Sequence, residues 1–224
     1  MGLWIAAIVI LSLSFLGMFI FGLSNYQETF KTKFSVLNMF PYELSFHNQG
    51  QTLIFYRFFL YLYVAFSLTP SLLMVSKFFQ FPGYMAYLIM ISIIFVINAV
   101  VLLTMHIIQA KFVRLHTLIA TAYLALSVLG AGAVSIVLFN LFISNNQIDV
   151  NYLILGVLEA LAAFVLLVIM LNPRLRNWAE MNTEENDDGT VVITRPKIFI
   201  LALSEWLAIF INFAVQIMLL IAYL

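Results

Sequence analysis

The sequence predicts an all-α integral membrane protein, a bundle of six transmembrane helices in one domain covering residues 1–224, with both termini on the outer side of the membrane. Its composition is the first observation behind this prediction: 64% of the residues are hydrophobic and only 9% are charged. Soluble domains carry about 45–50% apolar and about 25% charged residues. The second observation is that the charges lie in short stretches between long uncharged runs, which is typical of a polytopic helical membrane protein. A transmembrane β-barrel would instead show alternating segments of about ten residues.

Six segments are long and apolar enough to cross a bilayer. A helix needs about 20 apolar residues for this, and the segments lie at about 3–23, 53–76, 84–108, 115–143, 150–171 and 198–224. The first has no basic n-region and no A-x-A-like cleavage site, so we expect a retained helix rather than a signal peptide.

The distribution of basic residues predicts the orientation of the bundle. If loops 24–52, 109–114 and 172–197 are cytoplasmic, they hold eight of the ten Lys and Arg residues, Arg57 lies just inside the next span on the same side, and only Lys77 lies outside. Cytoplasmic loops carry an excess of Lys and Arg, so this arrangement is favoured and both termini are predicted to be outside.

Composition also excludes several functions. Ten Lys and Arg balance ten Asp and Glu, so no overall field attracts nucleic acid. The absence of cysteine excludes thiol chemistry, disulfides and cysteine metal sites. No zinc-protease, serine-hydrolase or P-loop motif occurs, and no Asp lies within a predicted span. We therefore expect a protein that is not an enzyme and that has no cofactor and no metal site.

The first cytoplasmic loop contains the apolar stretch "FSVLNMFPYELSFH", from Phe34 to His47. Its apolar residues do not form one helical stripe, Pro41 would interrupt a helix, and "YELSFH" alternates as a short strand would. Two interpretations stay open. The segment is either an interfacial piece packed against the bundle or a re-entrant piece that closes a pathway.

The second cytoplasmic loop is the most polar part of the chain. "NDDGT" is a turn signal and "VVIT" a strand signal, which predict a small hairpin. Glu184, Asn186 and Asp188 mimic the start of a calcium loop, but Arg195 occupies the twelfth position, where a Glu is required, so we reject calcium. The acidic stretch Glu184–Asp188 is either a solvated turn or a docking site for a cytoplasmic partner protein.

Glu159 is an ionisable residue near the middle of the fifth span. Such residues are costly in a bilayer and suggest a function. Gly156, Ala160 and Ala163 lie beside Glu159, and small residues permit close helix approach, so we expect a buried carboxyl group at a tight helix contact rather than facing lipid. Burial would favour the neutral acid.

The sixth span carries a polar stripe of Glu205, Asn212 and Gln216, which fall within about 40° of one another on a helical wheel. The stripe must face the bundle or a partner protein. At matching depth it could contact Glu159, and Asn98 in the third span adds another polar group. These five residues are either hydrogen-bonding contacts between helices or a pathway for a proton, an ion or a substrate.

Two further polar residues lie closer to the cytoplasmic side. We expect Arg57 to extend toward the headgroups and His106 to be an interfacial residue. His106, His116 and Glu205 form a conceivable metal site, but no spacing signature supports it.

These observations favour a small transport component, either a permease subunit or a carrier, with its polar centre between helices 3, 5 and 6 and its surface in contact with the lipid bilayer. The alternative is a non-catalytic accessory or scaffold subunit, whose polar stripe or acidic loop binds another protein. The compact form suggests a bacterial plasma membrane.

Overall fold

The computed structural model describes residues 2–45, 50–79, 82–108, 112–144, 150–172, 182–185 and 191–223. Its elements are α1 (Gly2–Phe30), a 3-10 helix (Pro41–Ser45), α2 (Gln51–Phe66), α3 (Thr69–Phe78), α4 (Pro82–Ile107), α5 (Val113–Ser144), α6 (Val150–Met170), β1 (Asn182–Glu185), β2 (Val191–Thr194) and α7 (Ile200–Tyr223).

The prediction of six membrane-spanning helices is confirmed, since six helical segments of the described chain are long and apolar enough to cross a bilayer. Many large apolar side chains, such as Leu13, Ile93 and Phe164, are exposed on the outer faces of these helices. In a membrane these faces contact lipid. The first helix extends to Phe30, beyond its predicted end, and stops where Lys31 adopts a left-handed backbone with φ of 57°, a common way to end a helix.

The second span is not one continuous helix. α2 ends at Phe66 and α3 begins at Thr69, with Pro70 in the first turn of α3. Proline lacks the N–H of a regular helix and is a usual cause of a helix break. Two buried serine hydroxyls lie at the break, where Ser67 Oγ donates to Val64 O at 2.7 Å and Ser71 Oγ donates to Leu68 O at 3.0 Å. The break went unrecognised in the sequence.

α7 lies inside the bundle. It packs against α1, α3, α5 and α6, whereas α6 packs mainly against α5. We call the end of the bundle where α1 ends and α7 begins the loop end. Residues 31–45, the end of α4 and the start of α5 also lie there. The other end, where α7 terminates, is the opposite end.

The predicted hairpin in the second loop is confirmed. β1 and β2 pair antiparallel, with Asn182 opposite Thr194 and Glu185 opposite Val191. Residues 186–190, which complete the acidic stretch Glu184–Asp188, lie outside the described residues.

The first loop folds over the loop end of the bundle. The 3-10 helix packs against α1, α2, α4 and α7, which confirms that this apolar segment packs against the bundle. The predicted strand over residues 42–45 is wrong. Pro41 fixes the start of the 3-10 helix, and Glu43 Oε1 accepts the backbone N–H of Phe40 at 3.1 Å, which curls the chain.

Candidate functional site

One face of α7 carries buried polar side chains along most of its length. Glu205, Asn212 and Gln216 are only 1%, 4% and 8% exposed. Of the two predicted environments, the bundle interior and a partner protein, the stripe therefore occupies the bundle interior. We call these three residues the polar face of α7, and each of them has a different set of neighbours.

Near the loop end, Glu205 pairs with His116 of α5. His116 Nε2 lies 2.9 Å from Glu205 Oε1, and both side chains are almost completely buried. The other ring nitrogen, His116 Nδ1, lies 3.0 Å from the carbonyl oxygen of Ile108. A histidine and a carboxyl group are thus held together in an apolar environment.

In the middle of α7, Asn212 belongs to a cluster of side chains from three helices. Its Nδ2 donates to Ser127 Oγ of α5 at 2.5 Å and to Ala208 O at 2.9 Å. Asn98 of α4 donates to Asn212 Oδ1 at 3.3 Å and to Ser127 Oγ at 3.4 Å. Asn98 and Asn212 therefore meet as the sequence indicated, although the helix that completes the cluster is α5 rather than α6.

Toward the opposite end, Gln216 lies beside Tyr63 of α2. Tyr63 is buried and precedes the break between α2 and α3 by one turn. The break therefore lies close to the last residue of the polar face.

Glu159 is completely buried, as predicted, but it is not part of this cluster. Ser135 Oγ of α5 donates to Gly156 O at 2.8 Å, and a Cβ on Gly156 would lie only 3.2 Å from the Phe139 ring. This close packing of α6 on α5 excludes lipid from Glu159 and confirms the predicted tight contact. Neither carboxyl oxygen of Glu159 has a hydrogen-bond partner among the described residues. The interpretation of Glu159 as a hydrogen-bonding contact to Asn98 or Asn212 is therefore wrong.

Several buried polar atoms around α7 have no hydrogen-bond partner among the residues that the structure describes. They are Glu205 Oε2, Asn98 Oδ1, Gln216 Oε1 and the Tyr63 hydroxyl. All four are oxygens that can accept a hydrogen bond, and Tyr63 and Gln216 lie close enough to pair with one another. Buried polar groups are rarely left unpaired, so each needs an explanation.

Arg57 and His106 lie outside this face. Arg57 is exposed, in agreement with an arginine that reaches the headgroup region. His106 is buried rather than interfacial, because its Nδ1 lies 2.9 Å from Leu102 O and the ring is 6% exposed. In the described part of the chain, no three His, Cys, Asp or Glu side chains are grouped as a metal site would require.

Sequence reasoning missed two participants, Ser127 and the pairing of His116 with Glu205. The sequence groups His116 with Glu205 only in a conceivable metal site that includes His106, and not as a direct pair. The sequence does contain a signal for this pairing. His116 and Glu205 are predicted near the same side of the membrane in different spans, and each needs a polar partner in apolar surroundings. Ser127 gave no signal because serine is common in membrane helices.

The fold and this site define a polytopic six-helix membrane protein with a polar interior centred on α7. Comparisons with family models, with curated proteins and with solved structures give no match for this chain.

Proposed function

We propose that the protein is a small transport component, a carrier or permease subunit, whose pathway follows the polar face of α7. The observation that carries the proposal is the continuous buried polar face of α7, in which Glu205 Oε2 and, beside Asn212, Asn98 Oδ1 keep an unpaired acceptor oxygen. Side chains that only join helices would satisfy one another. Groups that bind a moving solute or water in turn must keep an atom available.

The broken second span supports this proposal. Carriers place their sites near interrupted helices, where backbone and side-chain groups can contact the solute. Here the break between α2 and α3 follows Tyr63, which lies beside Gln216.

Charge supports a small cation as the transported species. The polar face presents buried oxygens of Glu205, Asn98 and Gln216 that can coordinate a cation, while no Lys or Arg is buried among the described residues. A positive species is therefore favoured in this interior over a negative one. We further propose that the protein resides in a bacterial plasma membrane with the loop end facing the cytoplasm, and that it is not an enzyme. A topology reporter fused after Leu224 should give an external signal.

The transport proposal is tested by reconstituting the purified chain into liposomes. Gradients of protons, Na⁺, K⁺ and methylammonium are imposed in turn and followed with trapped indicator dyes. We expect at least one gradient to dissipate faster than in protein-free liposomes, and Asn212→Leu to slow it. Leu207→Ala, on the exposed side of α7, is the control that should leave the flux unchanged.

The accessory-subunit alternative rests on the acidic stretch Glu184–Asp188 as the docking site, because the polar face of α7 is buried within the bundle. It predicts that mild-detergent purification retains a stoichiometric partner protein and that no gradient dissipates. That pair of results would overturn the transport proposal.

A further inference from the structure

The contact between His116 and Glu205 requires a proton. Ile108 O is a carbonyl oxygen and only accepts, so His116 Nδ1, at 3.0 Å, must carry a hydrogen. A neutral imidazole then has a lone pair on Nε2, which faces Glu205 Oε1 at 2.9 Å. Two acceptors would repel at this distance. The pair is therefore either an imidazolium with a carboxylate or a neutral imidazole with a carboxylic acid, and both forms hold one proton between them.

A segment of the first loop covers this pair. We call residues 34–45 the lid segment. The rings of Phe40 and Tyr42 lie edge-on to the His116 ring, with centroids 5.2 and 5.5 Å away. Phe40 and Leu44 are 1% and 0% exposed, so the lid segment separates the pair from water at the loop end.

Two hydrogen bonds to backbone carbonyl groups of the lid segment hold it to the start of α7. Trp206 Nε1 donates to Met39 O at 2.8 Å, and the backbone N–H of Phe199 donates to Leu37 O at 2.7 Å. Trp206, which anchors the lid segment, directly follows Glu205, which the lid segment covers.

Two side-chain contacts complete the attachment. Arg195 Nη1 lies 2.7 Å from Glu43 Oε1, and Asn25 Nδ2 of α1 donates to Leu44 O at 2.7 Å. The Arg195 side chain is 35% exposed, so this ion pair lies at the edge of the lid segment, where it can open without disturbing the bundle.

We propose that the His116–Glu205 pair is a proton-binding site and that binding of its proton closes the lid segment over it. Closure of the lid segment would control access to the polar face from the loop end, and in this respect the inference rests on the proposed function. Loss of the proton leaves one negative charge, which is costly in the closed, water-free site and tolerable once water enters. The closed state therefore binds the proton more tightly than the open state. By linkage, the proton favours closure to the same extent, so raising the pH opens the lid segment.

Other titratable and charged groups surround the pair. Glu43 is near enough for its charge to influence Glu205, but Arg195 forms an ion pair with Glu43 and offsets that charge. Tyrosine and ordinary carboxyl groups keep one charge state between about pH 6 and pH 9. The groups on the elements packed around the pair are Tyr42 and Glu43 in the lid segment, Arg195 before α7, Tyr26 on α1, Tyr56 on α2 and His106 on α4.

Trp206 supplies a direct reporter of the lid segment. In a Trp4→Phe, Trp178→Phe, His47→Gln background it is the sole tryptophan, and the third histidine is removed. Opening breaks the Trp206–Met39 hydrogen bond and admits water. We expect the emission maximum of the protein in liposomes to shift to the red, and acrylamide quenching to rise severalfold, as the pH increases from about 6 to about 9.

Substitutions assign the transition. Glu205→Gln cannot leave a negative charge in the site, so its emission should stay blue across the range. Glu43→Gln weakens the attachment, so its transition should move to lower pH. Circular dichroism and size-exclusion elution confirm that each variant is folded, and Glu43→Gln still tests the proposal if Glu205→Gln does not fold.

The proposal is overturned if the emission does not change with pH, if folded Glu205→Gln keeps the full transition, or if His106→Gln removes it instead. The proposal is also overturned if Glu43→Gln leaves the midpoint pH of the emission change where it is in the unsubstituted background. None of these fluorescence measurements depends on transport. The lid mechanism can therefore fail while transport is observed, and transport can fail while the lid mechanism is observed.

Discussion

Two glutamates in this bundle are buried to the same extent and have opposite surroundings. Glu205 is 1% exposed and lies 2.9 Å from His116, whereas Glu159 is 0% exposed and has no hydrogen-bond partner among the described residues. A carboxylate is tolerated away from water only with a partner that offsets its charge. Glu205 has such a partner and can exist in a charged form. Glu159 has none in this state, so its neutral acid is favoured.

Burial alone therefore does not define the role of an intramembrane acid. Removing Glu205 leaves a polar partner behind, while removing Glu159 leaves none. Matched substitutions at the two positions should therefore change the stability by amounts that differ in sign or size.

The largest effect is expected for Glu205→Leu. The substitution leaves His116 Nε2 buried and unpaired, which should lower the free energy of unfolding by about 1–3 kcal/mol. Unfolding in mixed detergent, followed by circular dichroism, measures the change. His116→Leu combined with Glu205→Leu should recover part of the loss, and a purely additive loss would show that the two residues are not coupled.

Asn212→Leu should have an intermediate effect. It removes the hydrogen bonds to Ser127 and Ala208 and the acceptor of Asn98. Hydrogen bonds between membrane helices contribute about 0.6 kcal/mol on average and at most about 1.7 kcal/mol, so we expect a loss in that range by the same assay. A loss larger than that of Glu205→Leu would reverse the ranking of the two sites.

Arg195→Gln should cost less. The ion pair with Glu43 is partly exposed, and such pairs contribute about 0.2–1 kcal/mol. The thermal midpoint in detergent should fall slightly, and by a smaller amount at high salt, where the wild-type pair is screened. A decrease that is independent of salt would argue against an ion-pair contribution.

Glu159→Leu should have the smallest effect on stability. Replacing an unpaired buried polar group by an apolar one of similar size is close to neutral or stabilising, so we expect a change within about 0.5 kcal/mol. Glu159→Gln retains a polar group that cannot titrate. Strong destabilisation by Glu159→Leu would mean that the carboxyl group has a partner in the membrane, and the two buried acids would then no longer differ.

Much of the fold followed from the sequence because its signals are local. The signals are six apolar stretches, the strand pattern of "VVIT" and the periodic spacing of Glu205, Asn212 and Gln216. Each of them depends on nearby residues. Even the burial of Glu159 followed from its small neighbours. The break after Phe66 was harder to see, because one proline interrupts a run that stays apolar throughout.

The partners of the polar groups could not be predicted in the same way. Depth alone matched Glu159 to the stripe on α7, but pairing depends on which faces the helices present to one another. Neither carboxyl oxygen of Glu159 has a hydrogen-bond partner among the described residues, so Glu159 and the stripe do not meet through hydrogen bonds. The pairing of His116 with Glu205, 89 positions apart in the chain, likewise depends on the packing of α5 against α7. The alternating pattern in residues 42–45 predicted a strand, but Pro41 and the hydrogen bond from the Phe40 N–H to Glu43 Oε1 favour a 3-10 helix instead.

The most direct test of the account is whether water reaches the polar face of α7. The chain has no cysteine, so single cysteines can be introduced without further changes. Ser127→Cys lies in the Asn98–Asn212 cluster, and Leu207→Cys lies on the exposed side of α7. Thiols react as thiolates, which form in water and not in lipid. In liposomes, a charged methanethiosulfonate reagent should label Ser127→Cys and leave Leu207→Cys unmodified. Equal lack of reaction at both positions would contradict a pathway along α7.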